Sequence, residues 1–418
     1  MTTVEEFTEE AAAWLADNAA PRRQDDSNKE IVWGEGEFSV SVFHALEHDD
    51  EAALIDRLKA WVQKKAEKGY HAINWPEDKG GLGLSRKHAS AFGRLERQYE
   101  SPGSHEIVNV TRGLIAPTVE AFGTDEQKER FIPDLLACNI LCSQLFSEPG
   151  AGSDLASLAC RADQDGDEWV MNGQKVWSSG AQFSEWGLLI ARSDPDAVKH
   201  KGMTAFMVPL DHPGVEVRPI AQMSGGASFN EVFFNDARIP DSLRLGPVGE
   251  GWKVALTTLS FERDHSDDSG GGGRVGGSWD LVLATARAMG KTADPVMRQK
   301  LADLYINHRI EGFVNRRAAD LARGGNPGPE GSLTKLVWTE QMTRMGEVVA
   351  SLLGPSLIAD NGEWGTYGWG EHVLGAVGYR IAGGSDEVQR NIIGERVLGL
   401  PGEPRVDKGV PWKDVPRS

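Results

Sequence analysis

The sequence has few cysteines, and this scarcity limits the kind of protein it can encode. Only three occur among 418 residues, at Cys138, Cys142 and Cys160, which is too few, and odd in number, for a disulfide framework in a chain of this size. Cys138 and Cys142 are spaced as neighbours on a helix, but no histidine or third cysteine lies near them. The sequence therefore favours a reducing cytoplasm and predicts no metal site.

Basic residues are also scarce relative to acidic ones. Lysine and arginine together number 44, against 62 for aspartate and glutamate, and the formal net charge is −18 at pH 7. This balance argues against a broad basic face of the kind that binds nucleic acid or an anionic membrane. The start of the chain is neither basic nor apolar, and no apolar stretch is long enough to span a bilayer. We expect a cytoplasmic protein with no nucleic-acid or membrane partner.

The periodicity of apolar residues changes twice along the chain. It is helical at first, has a period of two with recurrent Gly-rich turns in the middle, and is helical again towards the end. This pattern predicts an α+β fold in which two helical domains flank a β-sheet domain. The predicted parts are an N-terminal helical domain (1–140), a middle β domain (141–249), a C-terminal helical bundle (250–402) and an extended tail (403–418).

Local signals predict several element boundaries. A capping box at Thr124–Gln127 begins one helix, and Asp294-Pro295 begins a long one that runs to about residue 323. The dipeptide Asn172-Gly173 predicts a tight hairpin. Two stretches predict irregular excursions: residues 21–48, which are polar, and residues 354–379, which are rich in glycine and tryptophan.

Two short elements of the β domain carry residue types that suit the same kind of ligand. The first is a turn that reads Phe-Ser-Glu-Pro-Gly-Ala-Gly-Ser-Asp from Phe146 to Asp154, and the second is Trp-Ser-Ser from Trp177 to Ser179. Glycines that free backbone N–H groups, small hydroxyl donors and a flat indole suit a planar cofactor that carries phosphates. Taken singly, the turn could be a plain loop and Trp177 an ordinary core residue.

Taken together, the two elements resemble the flavin-binding segment of the acyl-CoA dehydrogenases. That family has Thr/Ser-Glu-Pro-x-Ala-Gly-Ser-Asp, followed at a fixed distance by Trp-x-Thr/Ser, and here Trp177 follows Ser147 by 30 positions, as the pattern requires. The order helical, β, helical is also that of the family. The resemblance implies bound FAD, an acyl-CoA substrate, an electron-transfer flavoprotein as electron acceptor, and a homo- or heterotetramer.

The same resemblance assigns cofactor contacts residue by residue. Ser179 would contact the N5 edge of the flavin, and Trp177 would pack on the isoalloxazine ring. Phe146 and Ser147 would line the pyrimidine side of the ring. The remaining expected contacts are Gly152 and Ser153 near the diphosphate, and Ser385 in place of a cofactor-contacting threonine.

The catalytic base is absent where one branch of the family carries it. In that branch the carboxylate precedes a Gly-Thr…Gln-Arg motif, which is here Gly-Ser…Gln-Arg, and the preceding residue is Gly383. A second branch has its glutamate in a Leu/Phe-Glu-Arg triplet on the first helix of the bundle, where this chain has Glu262 between Phe261 and Arg263. We expect Glu262 to remove the α-proton, with its pKa raised by desolvation, and the Gly383 amide to stabilise the enolate-like intermediate. The alternative is that Glu262 only pairs with Arg263 or with solvent.

Three departures from the family pattern bear on assembly and substrate. Ala286 stands where an arginine normally reaches a neighbour's cofactor, and a later Gly-Gly motif is altered at Gly354. We therefore expect a related but different partner chain to supply the missing contacts.

The glycine run Gly270–Gly273 after Glu262 should fray the helix, since each glycine costs roughly 1 kcal/mol, and so widen the acyl pocket. We therefore expect the substrate to carry a bulky or branched acyl group, with a steroid side chain as our guess. Two alternative functions remain: a non-catalytic partner subunit and an acyl-CoA oxidase.

Overall fold

A computed structural model describes residues 2–22, 40–43, 45–264, 276–322, 328–359, 365, 367–405 and 407–415. Helices precede and follow one β-sheet, which confirms the predicted α+β fold. The helices before the sheet are α1 (Val4–Asn18), α2 (His48–Ala66), α3 (Arg86–Glu96), α4 (Glu106–Asn109), α5 (Ala116–Phe122) and α6 (Asp125–Leu136), with a π-helical segment (Val110–Ile115) between α4 and α5. The helices after it are α7 (Gly251–Asp264), α8 (Trp279–Ala288), α9 (Pro295–Ala322), α10 (Gly331–Leu353), α11 (Gly368–Tyr379) and α12 (Asp386–Ile392).

The strands within the described residues belong to a single mixed sheet. They are β1 (Cys142–Leu145), β2 (Arg161–Asp165), β3 (Glu168–Lys175), β4 (Trp186–Arg192), β5 (Met203–Pro209), β6 (Val215–Ile220), β7 (Phe229–Pro240) and β8 (Arg244–Leu245). Their order across the sheet is β6-β7-β3-β2-β4-β5-β8, and β1 pairs in parallel with β4. Strands β4 and β5 are buried along nearly their whole length, so the main core lies between the sheet and helices α5, α6 and α7.

The helix starts predicted from the sequence are confirmed. The Gln127 amide N–H lies 3.3 Å from the Thr124 hydroxyl, and the Thr124 N–H lies 3.0 Å from the Gln127 side-chain oxygen, which completes the capping box. Asp294 accepts a 2.8 Å hydrogen bond from the Met297 N–H and so caps α9. These short-range signals succeed because the hydrogen bonds at a helix start join residues only three positions apart.

The predicted hairpin at Asn172-Gly173 is wrong. Both residues lie inside β3, and the pairing of β3 with β7 shifts register between Met171 and Gly173, as at a β-bulge. The hairpin turn between β2 and β3 lies instead at Gly166, where φ is +67°. Gly173 is required for packing, since a Cβ there would come within 2.7 Å of the Cys160 Cα. The side-chain amide of Asn172 donates a hydrogen bond to the Asp236 carboxylate on β7 at 2.9 Å.

The two predicted irregular excursions also need correction. Within residues 354–379, the segment Gly368–Tyr379 is helix α11. In the first stretch, residues 40–43 lie against α11 rather than on the surface, and Val40 and Val42 are buried in the core of the C-terminal bundle. The glycines of α11 permit this contact: a Cβ on Gly375 would lie 2.6 Å from the Val42 Cβ.

Residues 401–405 and 407–415, which we call the strap, return from the bundle to the loop between β4 and β5. The Trp412 N–H donates to the Ala197 carbonyl at 2.9 Å, and the Trp412 ring lies 4.8 Å from the buried Arg192 guanidinium. The Lys199 ammonium contacts Asp407 at 3.2 Å. The strap therefore connects the end of the bundle to the loop between β4 and β5.

An acid-dependent contribution to stability is expected from Asp407. Hydrogen bonds from Arg405, and then from Lys199, hold the pKa of Asp407 well below its usual range. Because the folded-state pKa is depressed, the stabilisation is complete above the unfolded pKa of about 3.9 and is lost as pH falls through the folded value. The difference in unfolding free energy between wild type and Asp407→Asn should be constant near neutral pH and shrink below about pH 4, as measured by urea unfolding.

A matched control for this measurement is Asp414→Asn, the same change elsewhere on the strap. No hydrogen bond of the Asp414 side chain occurs in the described part of the chain, so this variant should follow wild type at every pH. Equal curves for all three proteins would contradict the assigned role of Asp407.

No helix among the described residues has both the length and the apolar character needed to cross a membrane.

Candidate active site

A buried ion pair fixes the turn from Phe146 to Asp154. The Glu148 carboxylate lies 2.7 Å from the Lys175 ammonium, whose side chain is fully buried. Glu148 also accepts hydrogen bonds from the N–H groups of Ala159 and Cys160, at 2.6 and 2.9 Å. Lys175 in turn donates to the Phe146 carbonyl at 3.0 Å. Glu148 was not predicted to have a role; the signal for it was Lys175, at an inward-facing position of a strand that otherwise buries apolar residues.

The glycine part of this turn stays open while its base is fixed. Gly150, Gly152 and Ser153 are exposed, and a Cβ built on either glycine would meet no atom within 4 Å. Within the described residues, the side-chain hydroxyls of Ser147, Ser153 and Ser179 make no hydrogen bond. The turn therefore offers uncommitted donors at a surface with room for a ligand.

Trp177 is not a core residue, which excludes the simpler interpretation of this tryptophan. Its side chain is 60% exposed, and its backbone is left-handed, with φ of +61°. A non-glycine residue in that region costs on the order of 1 kcal/mol or more and persists only where its surroundings impose it. Here Asn230 imposes it: its carbonyl accepts from the Ser178 N–H at 3.0 Å, and its side-chain amide donates to the Ser178 carbonyl at 3.0 Å.

The two predicted binding elements lie side by side. The Val176 N–H donates to the Ser147 carbonyl at 2.9 Å, which joins the strand before Trp177 to the start of the turn. The Ser143 hydroxyl donates to the Ser179 carbonyl at 3.0 Å, so β1 also supports the second element. The structure thus brings Phe146, Ser147, Trp177 and Ser179 together, with Phe146 buried beneath them. An exposed indole beside a donor-rich turn can bind a planar ligand that carries phosphates.

The predicted Gly383 and Ser385 lie in the turn between α11 and α12. Gly383 and Gly384 are both left-handed, with φ of +63° and +87°. The Gln389 side chain donates to both carbonyls, at 3.0 and 3.2 Å, whereas the Gly383 N–H makes no hydrogen bond within the described residues. Ser385 caps α12 by accepting from the Val388 N–H. The turn is therefore held by its carbonyls, and the Gly383 amide is left available.

Asp386 holds this turn to the rest of the bundle. Its carboxylate accepts from Arg380 at 2.7 Å and from the Thr339 hydroxyl at 3.0 Å, and it lies 3.6 Å from the Lys335 ammonium. Burial opposes ionisation of Asp386, but the hydrogen bonds from Arg380 and Thr339 outweigh it and lower the pKa. The buried carboxylate thus fixes the Gly383–Ser385 turn by charge.

The predicted base, Glu262, belongs to the last turn of α7, and its side chain lies outside the described part of the structure. The glycines Gly270–Gly273, on which the predicted helix break rests, also lie outside the described residues. The first turns of α7 are firmly placed: Val254 and Thr258 are fully buried, and Thr258 lies 3.0 Å from the Thr118 hydroxyl on α5.

Ala286, at the position where the sequence analysis expected the family's arginine, is fully buried in the core of the bundle. It lies on α8 beside Val282, which is also fully buried. A long cationic side chain at this position would have to displace core packing. Position 286 is therefore part of the core of the bundle and not of a surface that could contact a neighbouring chain.

The three cysteines are free and buried. Burial raises the pKa of the Cys160 thiol to about 11, so this sulfur remains protonated at neutral pH. The thiolate is the nucleophilic and metal-binding form, and Cys160 therefore has a packing role.

Three family profiles match successive parts of the chain. They are the N-terminal domain of acyl-CoA dehydrogenases at residues 39–139, the middle domain at 143–237 and the C-terminal domain at 249–398. Among characterised relatives, acyl-CoA dehydrogenase IpdE1 of Mycobacterium tuberculosis is 38% identical over 406 residues, which covers 96% of this chain and 99% of the relative. IpdE1 of Mycolicibacterium smegmatis is 35% identical over 414 residues, with coverage of 96% and 99%.

Solved structures give the same relationship. A structure described as the Tcur3481-Tcur3483 steroid ACAD superposes with a TM-score of 0.71 at 26% identity, covering 96% of this chain and 98% of that one. The ChsE4-ChsE5 complex from Mycobacterium tuberculosis superposes with a TM-score of 0.69 at 25% identity, with the same coverage. On sequence and structure alike, the chain belongs to the acyl-CoA dehydrogenase family of oxidoreductases.

Proposed function

We propose that the chain catalyses the FAD-dependent α,β-dehydrogenation of an acyl-CoA thioester. The observation that carries the proposal is Trp177, an exposed indole held in a left-handed backbone beside the turn that Glu148 and Lys175 fix. A fold does not retain an exposed, strained tryptophan for its own stability. Ligand binding accounts for both features.

The residues present fit FAD. Trp177 would pack against the isoalloxazine ring, with Ser179 at its N5 edge and Phe146 and Ser147 on its pyrimidine side. The open glycine turn gives a diphosphate access to backbone N–H groups, which bind anions well. The remaining proposed contacts are Gly152, Ser153 and Ser385.

Glu262 would act as the base that removes the α-proton. The Gly383 N–H, which is uncommitted in the described structure, would donate to the thioester carbonyl as negative charge develops on it. FAD held there would supply a hydride acceptor at N5, and an electron-transfer flavoprotein would take up the electrons. The carboxylate and the amide therefore share one task, to make the α-proton acidic and to remove it.

We further propose a bulky acyl group and a heteromeric assembly. Solved relatives include a protein described as a steroid ACAD and the two-protein ChsE4-ChsE5 complex. In this chain, Ala286 is buried where an arginine would reach a neighbour's cofactor, so two copies of the chain could not complete each other's sites in that way. A related chain that carries the arginine would complete the site.

The test is the visible absorbance spectrum of the chain purified alone and after co-expression with related acyl-CoA dehydrogenase chains of the same organism. We expect a colourless or flavin-poor protein alone, and about one FAD per site in the complex. One FAD per chain without a partner would overturn the heteromeric assembly. A flavin-free protein under both conditions would overturn the proposed reaction. Reoxidation of the reduced complex by air during turnover would favour an oxidase.

A further inference from the structure

Four aromatic rings from four segments of the chain form a continuous row beside the proposed flavin site. The Trp177 ring lies edge-on to Phe229, with centroids 6.0 Å apart, and Phe229 lies edge-on to Phe43 at 5.1 Å. Phe43 then stacks on Tyr379 at 5.0 Å, with 14° between the ring planes. Phe43 thus touches both the Phe229 ring of the sheet and the Tyr379 ring of the bundle.

The backbone around Phe43 is firmly held by the bundle. On one side, Val42 is 3% exposed and packs so closely on α11 that Gly375 has no room for a side chain. On the other, a Cβ on Gly378 would lie 2.7 Å from the Phe43 ring. The Gly276 N–H donates to the Ser41 carbonyl at 3.1 Å. The ring therefore projects from a fixed support rather than from a loose loop.

Through Phe229, the row reaches the backbone that shapes the Trp177 turn. The residues on either side of Phe229 are the ones that hold this turn. The Ser228 carbonyl accepts from the Gly180 N–H at 2.9 Å, and the Asn230 carbonyl accepts from the Ser178 N–H at 3.0 Å. A displacement of Phe229 would therefore be transmitted to the residues that hold Trp177 in its left-handed conformation.

Through Tyr379, the row reaches the other half of the site. Tyr379 ends α11, and the next residue, Arg380, donates to Asp386 at 2.7 Å and so fixes the turn that contains Gly383. Trp338 of α10 packs on the Tyr379 ring at 4.8 Å and supports it from behind. Phe43 thus lies between the turn that carries Trp177 and the turn that carries Gly383 and Ser385.

We propose that Phe43 is a positioning residue for the flavin site, which sets the separation between the Trp177 turn and the Gly383–Ser385 turn. The inference rests on the proposed FAD-dependent function and adds to it a residue that neither the flavin-binding motif nor the family's base positions include. Loss of the ring would remove two aromatic contacts and let the two turns move relative to each other, so that a ligand held between them binds more weakly.

The test measures FAD affinity in Phe43→Ala, Phe43→Leu and Phe7→Ala, each prepared as the full chain with its partner chain where the wild type requires one. Flavin is removed, and rebinding is followed by flavin fluorescence and by the shape of the visible absorbance bands. We expect Kd for FAD to rise about ten-fold in Phe43→Ala, the loss that two aromatic contacts correspond to, with altered bands. Phe43→Leu keeps most of the apolar volume but has no aromatic ring, and this variant should also bind FAD more weakly than wild type.

Phe7→Ala is the matched control, because it also removes a phenylalanine that contacts two aromatic rings, those of Tyr70 and His88, but on α1 and outside the aromatic row. It should lower the melting temperature and leave FAD affinity and band shape at wild-type values. Equal FAD affinity in all variants, or a loss in Phe7→Ala as large as that in Phe43→Ala, would overturn the positioning role and leave the proposed reaction standing. A wild-type preparation that takes up no FAD in any assembly would overturn both.

Discussion

Replacing Glu262 by glutamine is expected to lower turnover of the acyl-CoA substrate by about 10²- to 10⁴-fold, the range typical for loss of a positioned general base. Glutamine has nearly the same shape but cannot accept the α-proton, so substrate and FAD should still bind. The assay is dye-linked dehydrogenation of a panel from short straight-chain to polycyclic acyl-CoA thioesters. We expect the rate to fall for every substrate and the flavin spectrum to stay unchanged.

Glu250→Gln provides the control, since it makes the same change just before the start of α7. Glu250 is exposed and contacts Lys253 only at 3.9 Å, so its replacement should leave turnover at the wild-type level. Unchanged turnover in Glu262→Gln would show that a partner chain supplies the base and that this chain is the non-catalytic subunit. A loss of bound flavin together with activity would show instead that Glu262 has a structural role.

The largest effect on stability is expected at the ion pair beneath the flavin-binding turn. Glu148→Ala would leave the fully buried Lys175 without its carboxylate and remove the acceptor of the Ala159 and Cys160 N–H groups. Breaking a buried pair from one side typically costs about 3–5 kcal/mol. Urea unfolding should show a loss of that size, and FAD binding should be lost with it.

The double variant Glu148→Gln/Lys175→Met tests the cause of this loss. It removes both charges while keeping similar volumes, and glutamine retains an oxygen that can accept a backbone hydrogen bond. If the penalty arises from an uncompensated charge, the double variant should be more stable than Glu148→Ala by about 2 kcal/mol or more. Two variants of equal stability would show that the uncompensated charge of Lys175 does not determine the cost.

The sequence predicted those features that depend on short-range chemistry. The capping box at Thr124 and the cap at Asp294 formed as expected because each joins residues three positions apart. The Asn172-Gly173 hairpin failed for the opposite reason. Its turn propensity is real, but pairing along β7 and the close approach of Cys160 decide the conformation, and both partners are distant in sequence.

In the candidate site, too, the sequence predicted local features but not those that depend on tertiary contacts. The motif alone indicated which residues belong together, and Ser147 and Trp177 do lie side by side. It could not indicate that Trp177 is exposed, because burial depends on the tertiary contacts of Phe229 and Asn230. Nor could it indicate Phe43, which comes from a polar stretch with no periodicity and is positioned by packing on α11 and on the Phe229 ring.

The strap has a consequence for how the sheet and the bundle stay together. Its contact between Lys199 and Asp407 joins residues 208 positions apart and so closes a loop that contains the helices of the bundle from α7 to α12. A disulfide could close such a loop covalently, but the three cysteines of this chain are buried and free. The strap acts as a reversible cross-link, and since it rests partly on ion pairs near the surface, concentrated salt should loosen it where a covalent bond would hold.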